Sequence, residues 1–338
     1  MSAPLRRQVS NLRRARWPAF ATALILVGTL IAPQVVLSQS YPNKLIRIIV
    51  PYTTGGSNDL LARLIARGLA AKWDVAAIVE NKPGGSANIG ADAVAKSPPD
   101  GYTLLIANSS IMSINPYLVA STPFDPIKAF EPITLLGSQP FVLVTKPGLN
   151  FSSLQDLIAF SRKNPNALSY ASAGAGSGHH MASELLNSLT NINILHVPYK
   201  GTAPALIDLL AGTVDVMFGP INQLLPHIKS GRLTALAVAS ARRTPLIPSL
   251  PTVAEAAVPG FDAEPWLALV APAKTPRDII ARLNTAVREI LAAREVRAEL
   301  VEQGIDPQTS TPEEVTAFTV KDGKRYSDLI RNAKIKAD

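Results

Sequence analysis

Two glycine-rich elbows limit this chain more than any other feature. They are Thr53-Thr54-Gly55-Gly56-Ser57-Asn58-Asp59 and Ala173-Gly174-Ala175-Gly176-Ser177-Gly178. Each follows a short apolar run of strand length and precedes a segment with an apolar helical stripe. A strand that turns through glycines straight into a helix is the repeating unit of an α/β fold, in which helices cover a sheet. The turn also leaves the first N–H groups of the helix unpaired at the positive end of the macrodipole. An anion can be held there without a cationic side chain. Two such elbows, one in each of two α/β lobes, predict a cleft that grips a small anion from both sides.

The surrounding pattern supports two lobes. Residues 45–50 lead into the first elbow, and the helix over 59–72 places Leu60, Leu61, Leu64, Ile65 and Leu69 on one face. A strand over 76–80 ends at the turn Asn81-Lys82-Pro83-Gly84-Gly85, before a short helix at 89–96 and a strand at 102–107. This β-α-β-α-β order predicts a parallel sheet with ligand chemistry at the C-terminal ends of its strands. The unit recurs with strands at 141–145, 168–172, 194–197, 214–218 and 234–239. Between them lie helices at 153–163, 179–189, 203–211 and 221–229, the first opened by a capping box of Ser152 and Gln155.

The C-terminal part reads as helical. Thr275 as N-cap and Pro276 at the first helical position precede Ile279, Ile280, Leu283, Ala286, Val287, Ile290 and Leu291, which follow helical spacing. Thr311-Pro312-Glu313-Glu314 repeats the start signal. The extended stretches 131–140 and 262–267 read as two crossings between the lobes. Lobe 1 is then 41–137 plus 266–338 and lobe 2 is 138–265, the doubly wound, two-crossing arrangement of a hinge.

Residues 1–40 read as a signal peptide. Arg6, Arg7, Arg13, Arg14 and Arg16 form a basic start without acids; an apolar run over 19–32 and a small-residue stretch follow, with cleavage after Ser38 or Ser40. The apolar run falls short of the roughly 20 residues of a membrane span. The whole chain has 33 basic and 25 acidic residues, a net +8; removing the five leader arginines leaves 28 against 25, a net +3. The basic balance therefore owes much to the leader, and no nucleic-acid partner is expected. The absence of cysteine excludes disulfides, cysteine zinc sites, thiol nucleophiles and a lipid-modified cysteine.

Enzyme signatures fare poorly. The second elbow fails the dinucleotide pattern G-x-G-x-x-G because His179 stands three residues after Gly176. No phosphate-binding P-loop is present, and Ser177 sits in Gly-Ser-Gly rather than in a nucleophile elbow. His179 and His180 point about 100° apart on a helix, so no metal is expected; His180 reads as a hydrogen-bonding support of the elbow. Asp59, Asp100 and Asp215 have no second carboxylate or base at recognisable spacing and read as capping or turn residues. No catalytic residue and no cofactor are expected. Tyr199 and Trp266 are core aromatics or cleft walls.

At these residues the chain resembles the periplasmic receptors of tripartite tricarboxylate transporters, the Bug family of extracytoplasmic solute receptors. The likeness runs over 41–338. It is carried by Ile46-Arg47-Ile48-Ile49-Val50-Pro51, by Gly55-Gly56-Ser57-Asn58-Asp59 and by Val79-Glu80-Asn81-Lys82-Pro83-Gly84. Further matches are Pro99-Asp100-Gly101-Tyr102-Thr103-Leu104, Val197-Pro198-Tyr199-Lys200-Gly201 and Pro251-Thr252-Val253-Ala254-Glu255. The resemblance implies a type II periplasmic-binding-protein fold, the two-lobe Venus flytrap. It implies a monomeric receptor that binds a small carboxylate and delivers it to the membrane permease components. A sensor protein is an alternative recipient, and a small-molecule enzyme on a doubly wound fold is the rival class.

The expected site follows from that likeness. One carboxylate sits on Thr53, Thr54, Gly55 and the helix start at Asn58 and Asp59, and a second polar end meets Ser172, Gly174, Gly176 and Ser177, with His180 behind. Ser109, Ser110, Tyr199, Asn222 and Trp266 are the expected walls. The chain departs from the family habit at Thr53-Thr54, where Ala or Pro is usual, and in the more substituted loop Gly84-Gly85-Ser86-Ala87-Asn88. It departs also at Gly178, where a hydroxyl is frequent, and at Gly219, where Asp or Asn is. Those four places bear on which ligand fits.

Overall fold

The computed structural model of the protein describes residues 41–332 and 334–336; the expected signal peptide over 1–40 lies outside them. The described chain begins with β1 (Ile46–Val50), α1 (Ser57–Trp73), β2 (Ala77–Asn81), α2 (Asn88–Ala95) and β3 (Thr103–Asn108). A π-helical turn at Ser110–Ile114 and the short α3 (Asn115–Leu118) and α4 (Pro126–Ala129) lead to β4 (Phe130–Ser138). The second series is β5 (Phe141–Thr145), α5 (Leu154–Lys163), β6 (Ser169–Ser172), α6 (Gly178–Thr190) and β7 (Leu195–Pro198). It continues with α7 (Thr202–Ala211), β8 (Val216–Pro220), α8 (Ile221–Lys229) and β9 (Thr234–Val238). Then α9 (Val253–Ala256) precedes β10 (Trp266–Pro272), and α10 (Arg277–Ala292), α11 (Arg294–Glu302) and α12 (Pro312–Asn332) follow.

The strands form two five-stranded sheets, ordered β2-β1-β3-β10-β4 and β7-β6-β8-β5-β9. β1 runs parallel to β2 and β3, and β6 parallel to β7 and β8. In each sheet the fourth strand runs the other way: β10 is antiparallel to β3 and β4, and β5 to β8 and β9. The fully parallel sheet expected from the alternation is therefore mixed. Of the stretches read as crossings, 131–140 is largely sheet, since β4 takes up most of it, while β10 takes only the last two residues of 262–267. What remains between the sheets is Gln139-Pro140 on one pass and the residues just before Trp266 on the other.

Helices on both faces explain the unbroken apolar strands. All seven residues of β10 are buried. On one side of the first sheet, Leu61, Leu64, Ile65 and Leu69 of α1 meet Leu283, Val287, Ile290 and Leu291 of α10. On the other side, Ala91 and Val94 of α2 and Val315 of α12 cover the sheet with Ile111. Helices α1 and α10 approach closely at Gly68, where a Cβ would fall within 2.8 Å of the Ile290 side chain. A mid-helix glycine lowers helix propensity, and here it makes room for that contact.

Several start signals shift. The α5 cap is Ser153, whose Oγ accepts from the Asp156 N–H at 3.1 Å, while Asp156 accepts from Ser152; the expected pair of Ser152 and Gln155 does not form. The Thr275 hydroxyl donates to the Pro272 carbonyl at 2.7 Å and leaves Pro276 as the N-cap of α10. The Thr311–Glu314 box does form, with reciprocal bonds of 2.8 and 3.2 Å.

Trp266 opens β10 as a core residue. Its ring meets Phe318 edge-on at 5.2 Å, and its indole N–H donates to Asp322 Oδ2 at 2.7 Å. Arg325 binds the other oxygen of the same carboxylate at 2.7 Å. Asp322→Ala is expected to lower the unfolding free energy by about 1.5–3 kcal/mol, because a buried donor loses a charged acceptor. Urea denaturation of protein lacking residues 1–40 measures this, and Asp322→Asn, which keeps an acceptor, loses less.

Candidate functional site

A cavity of about 160 Å³ opens where the two elbows face each other. Thr53 to Asn58 of the first elbow line one side, with Asn108 at the end of β3 and Ser109 and Ser110 just after it. Ala173, Ser177, Gly178 and His179 of the second elbow line the other, joined by Gly201, Thr202 and Ala203 at the start of α7. Gln139, Phe141, Pro265 and Leu267 supply hinge and floor. Asp, Glu, Lys and Arg are all missing from the lining.

The backbone supplies the polarity instead. Helix α1 starts at Gly56 with no side-chain cap, and α7 starts at Gly201, also uncapped. At the third start Ser177 Oγ takes the His180 N–H at 3.3 Å and leaves the N–H groups of Gly178 and His179 ahead of it. Three helix N-termini thus converge on a lining without formal charge, which concentrates positive partial charge there.

Each elbow is braced from inside by the side chain four residues beyond a positive-φ glycine. Gly55 (φ 87°) donates its N–H to Asp59 Oδ2 at 3.1 Å, and Gly176 (φ 74°) donates to His180 Nδ1 at 3.1 Å. Asp59 is fixed by Arg63 through two 3.0 Å bonds and by Asn81 at 3.1 Å. Burial alone would raise its pKa, but Arg63, the Gly55 N–H and Asn81 together hold it below the usual carboxylate value. Because Nδ1 of His180 accepts a hydrogen bond from a backbone amide, that nitrogen carries no proton and the imidazole is neutral. In lobe 2, Ser172 Oγ accepts the Gly174 N–H at 3.0 Å and bonds His196 Nε2 at 2.6 Å. The rings of Tyr170, His180 and His196 stack beneath the elbow, His180 and His196 with centroids 4.3 Å apart.

These bonds redistribute the expected site. Thr53, Thr54, Gly55, Asn58, Ser109, Ser110 and Ser177 line the cavity. Asp59, Ser172, Gly174, Gly176, His180, Tyr199, Asn222 and Trp266 do not, and each is engaged elsewhere. The N–H groups of Gly55, Gly174 and Gly176 are bonded to Asp59, Ser172 and His180. Tyr199 turns its hydroxyl to Asp208 of α7 at 2.7 Å. Asn222 belongs to the hinge: it donates to Ser57 Oγ at 3.3 Å, and Gln139 bonds both Ser57 Oγ and Asn222.

The sequence predicts the helix over 203–211, but not that its start and His179 line the cavity. The former carries a visible signal, Gly201-Thr202 ahead of an apolar helical run, with no Asn, Asp or Ser at the cap. His179 Nε2 lies 3.1 Å from Thr202 Oγ1, its ring meets Phe141 at 4.7 Å, and Nδ1 is buried without a hydrogen-bond partner. Nothing in its spacing distinguishes it from its neighbour.

Burial depresses the pKa of both His179 and His180 to about 3, with His196 adding to the effect on His180. Each titrates near 6.5 once unfolded. Groups whose folded pKa is depressed leave the folded state unable to take the proton that the unfolded chain binds. Their contribution is full above about pH 6.5 and is lost as pH falls toward 3. Glu264, whose carboxyl burial raises to about 7, acts with the opposite slope. It is common to wild type and His179→Gln, so comparing the two removes it. The stability difference in favour of wild type is expected to shrink as urea titrations move from pH 7 to pH 4; a constant difference would contradict neutral burial of His179.

Residues 61–335 match the tripartite tricarboxylate transporter family receptor. Protein BugT of Bordetella pertussis strain Tohama I is 38% identical over 304 residues, which is 89% of this chain and 93% of that protein. Among solved structures, Rpa4515 of R. palustris, solved with adipate, is 34% identical with a TM-score of 0.84, covering 88% of this chain and 100% of its own. MatC of Rhodopseudomonas palustris, solved with bound malate, is 31% identical with a TM-score of 0.80, covering 86% and 100%. The chain belongs to the family of tripartite tricarboxylate transporter receptors.

Proposed function

We propose that this protein captures a small dicarboxylate between its lobes and presents it to the permease components of a tripartite transporter. It would work in the periplasm, after removal of residues 1–40. The observation that carries this reading is the pairing of a lining without formal charge with uncapped helix starts at Gly56 and Gly201. A cation gains nothing from such a cavity, and a neutral apolar guest would leave the amides unpaired. A guest with negative charge at both ends satisfies both sides.

Relative to the sequence expectation, the proposed contacts move by a residue or two. In lobe 1 the donors are the amides from Gly56 to Asn58, with the Thr53 and Thr54 hydroxyls at the rim. In lobe 2 they are the amides of Gly178 and His179 together with Thr202 and Ala203. Phe141 and Leu267 leave an apolar middle suited to a short methylene chain. Helix termini contribute about 0.3–1 kcal/mol each, up to ~2 when partly buried. Charge-assisted hydrogen bonds of ~1.5–3 kcal/mol each bring the total within reach of a micromolar complex, about 8 kcal/mol. The solved relatives with adipate and malate support the same class of guest.

A thermal-shift series with acetate, succinate, malate, adipate and citrate tests the class. A true ligand at 100 times its Kd adds about 2.7 kcal/mol of stability. Asn58→Asp sharpens the test, because an acid in the first turn suits the helix while repelling an anionic guest. The variant is expected to match or exceed wild-type stability without ligand and to lose at least about tenfold in dicarboxylate affinity. Undiminished affinity would remove the α1 start from the site, and no shift with any dicarboxylate would end the reading.

A further inference from the structure

The loop between β2 and α2 is held in an unusual shape. Gly84, Gly85, Ser86 and Ala87 all have positive φ, and Ser86 (53°) and Ala87 (73°) are side-chain-bearing residues in the left-handed region. L-residues other than Asn and Asp enter that region rarely and persist there only when their surroundings over-determine it. The surroundings are specific. Ala87 is buried in lobe 1 at 3% exposure. Asn115 Nδ2 donates to the Ser86 carbonyl at 2.8 Å and to Asn88 Oδ1 at 2.9 Å, and Asn88 in turn donates to Thr122 at 3.2 Å.

This network aims Ser86 at the other lobe. Its Oγ donates to the Ala175 carbonyl, inside the second elbow, at 3.0 Å. The lobes also approach closely beside it: a Cβ on Gly176 would fall 2.8 Å from Asn115 Oδ1, so a side chain there would force Asn115 to shift. Met181 of α6 is buried beside it among Ile114, Leu118, Tyr326 and Ile335 from lobe 1. Neither Ser86 nor Asn115 lines the cavity.

We propose that the 84–87 loop is a latch, in which Ser86, positioned by Asn115, holds the lobes together and sets how long a ligand stays without touching it. The inference rests on the proposed reading of the cleft as the ligand site. A contact made only between closed lobes shifts the opening equilibrium by its own free energy, and release slows by the same factor. The latch also spares the binding groups, since it uses a carbonyl of the elbow while the ligand uses amides.

The chain has no cysteine, so two introduced cysteines can be labelled cleanly. Lys128→Cys on lobe 1 and Ile207→Cys on lobe 2 are exposed positions outside the cavity. Spin labels at this pair report lobe separation by pulsed electron paramagnetic resonance, without ligand and with adipate. A closed population is expected in ligand-free wild type, and Ser86→Ala and Asn115→Ala should both shift it toward the longer distance. Stopped-flow adipate release should quicken by about twofold to tenfold, the worth of one neutral hydrogen bond, with association no slower than in wild type. Unchanged distances in Ser86→Ala, or a ligand-free wild type that is wholly open, would overturn the latch. If Asn115→Ala fails to fold by circular dichroism, Ser86→Ala alone decides. Failure of adipate to bind while the distances shift would count against the ligand reading and leave the latch standing.

Discussion

Both elbows depend on one local interaction, the bond from a left-handed glycine amide to a side chain in the first turn of the following helix. Without it, a glycine-rich turn would have many shapes of similar energy, and the helix start behind it would point nowhere in particular. Asp59 accepts from Gly55 and His180 accepts from Gly176, so two unrelated side chains solve the same problem at the same spacing. The solutions differ in charge. Asp59 is an ionised carboxylate with Arg63 and Asn81 around it, whereas His180 is a neutral ring within an aromatic stack. Each brace consumes the donor nearest to it and pushes the open donors onward to the helix proper.

That redistribution marks the limit of what the chain discloses in one dimension. The alternation of apolar runs with glycine turns placed most of the strands and helices, because burial on both faces of a sheet leaves an unbroken apolar signature, as in β5. Which amides stay open is a different question. Gly174 and Gly176 look like ideal anion ligands as letters, yet both are occupied by neighbours at two and four residues' distance. The direction of β4 and β10 was also hidden, since an extended run between lobes reads alike whether it crosses a gap or joins a sheet edge. Trp266 shows the same ambiguity, for an aromatic at a lobe boundary can face cleft or core, and the Asp322 carboxylate that settles its place lies 56 residues away.

The two lobes are tied at separate places by groups of different character. At the hinge, Gln139 bonds Ser57 of lobe 1 and Asn222 of lobe 2, so the linking peptide is in contact with the first elbow itself. At the mouth the contacts run from Ser86 to Ala175 and through the apolar cluster around Met181. All of these are neutral. Opening the lobes there would break hydrogen bonds that water can replace, together with a small apolar contact; elsewhere among the described residues the Arg325 guanidinium also reaches across, to the Asp262 carbonyl at 2.6 Å. Such a joint moves at modest expense, as a capture device requires.

The uncharged lining has a bearing on unloading. A receptor that clamps its cargo with arginines must pull apart strong ion pairs when the cargo departs, and the transporter has to supply that work. On the proposed contacts, the cargo's charge would be balanced by amide dipoles and a few hydroxyls that water can solvate again as soon as the lobes separate. Retention then lasts as long as the lobes remain shut, and handing over becomes a matter of prising them open.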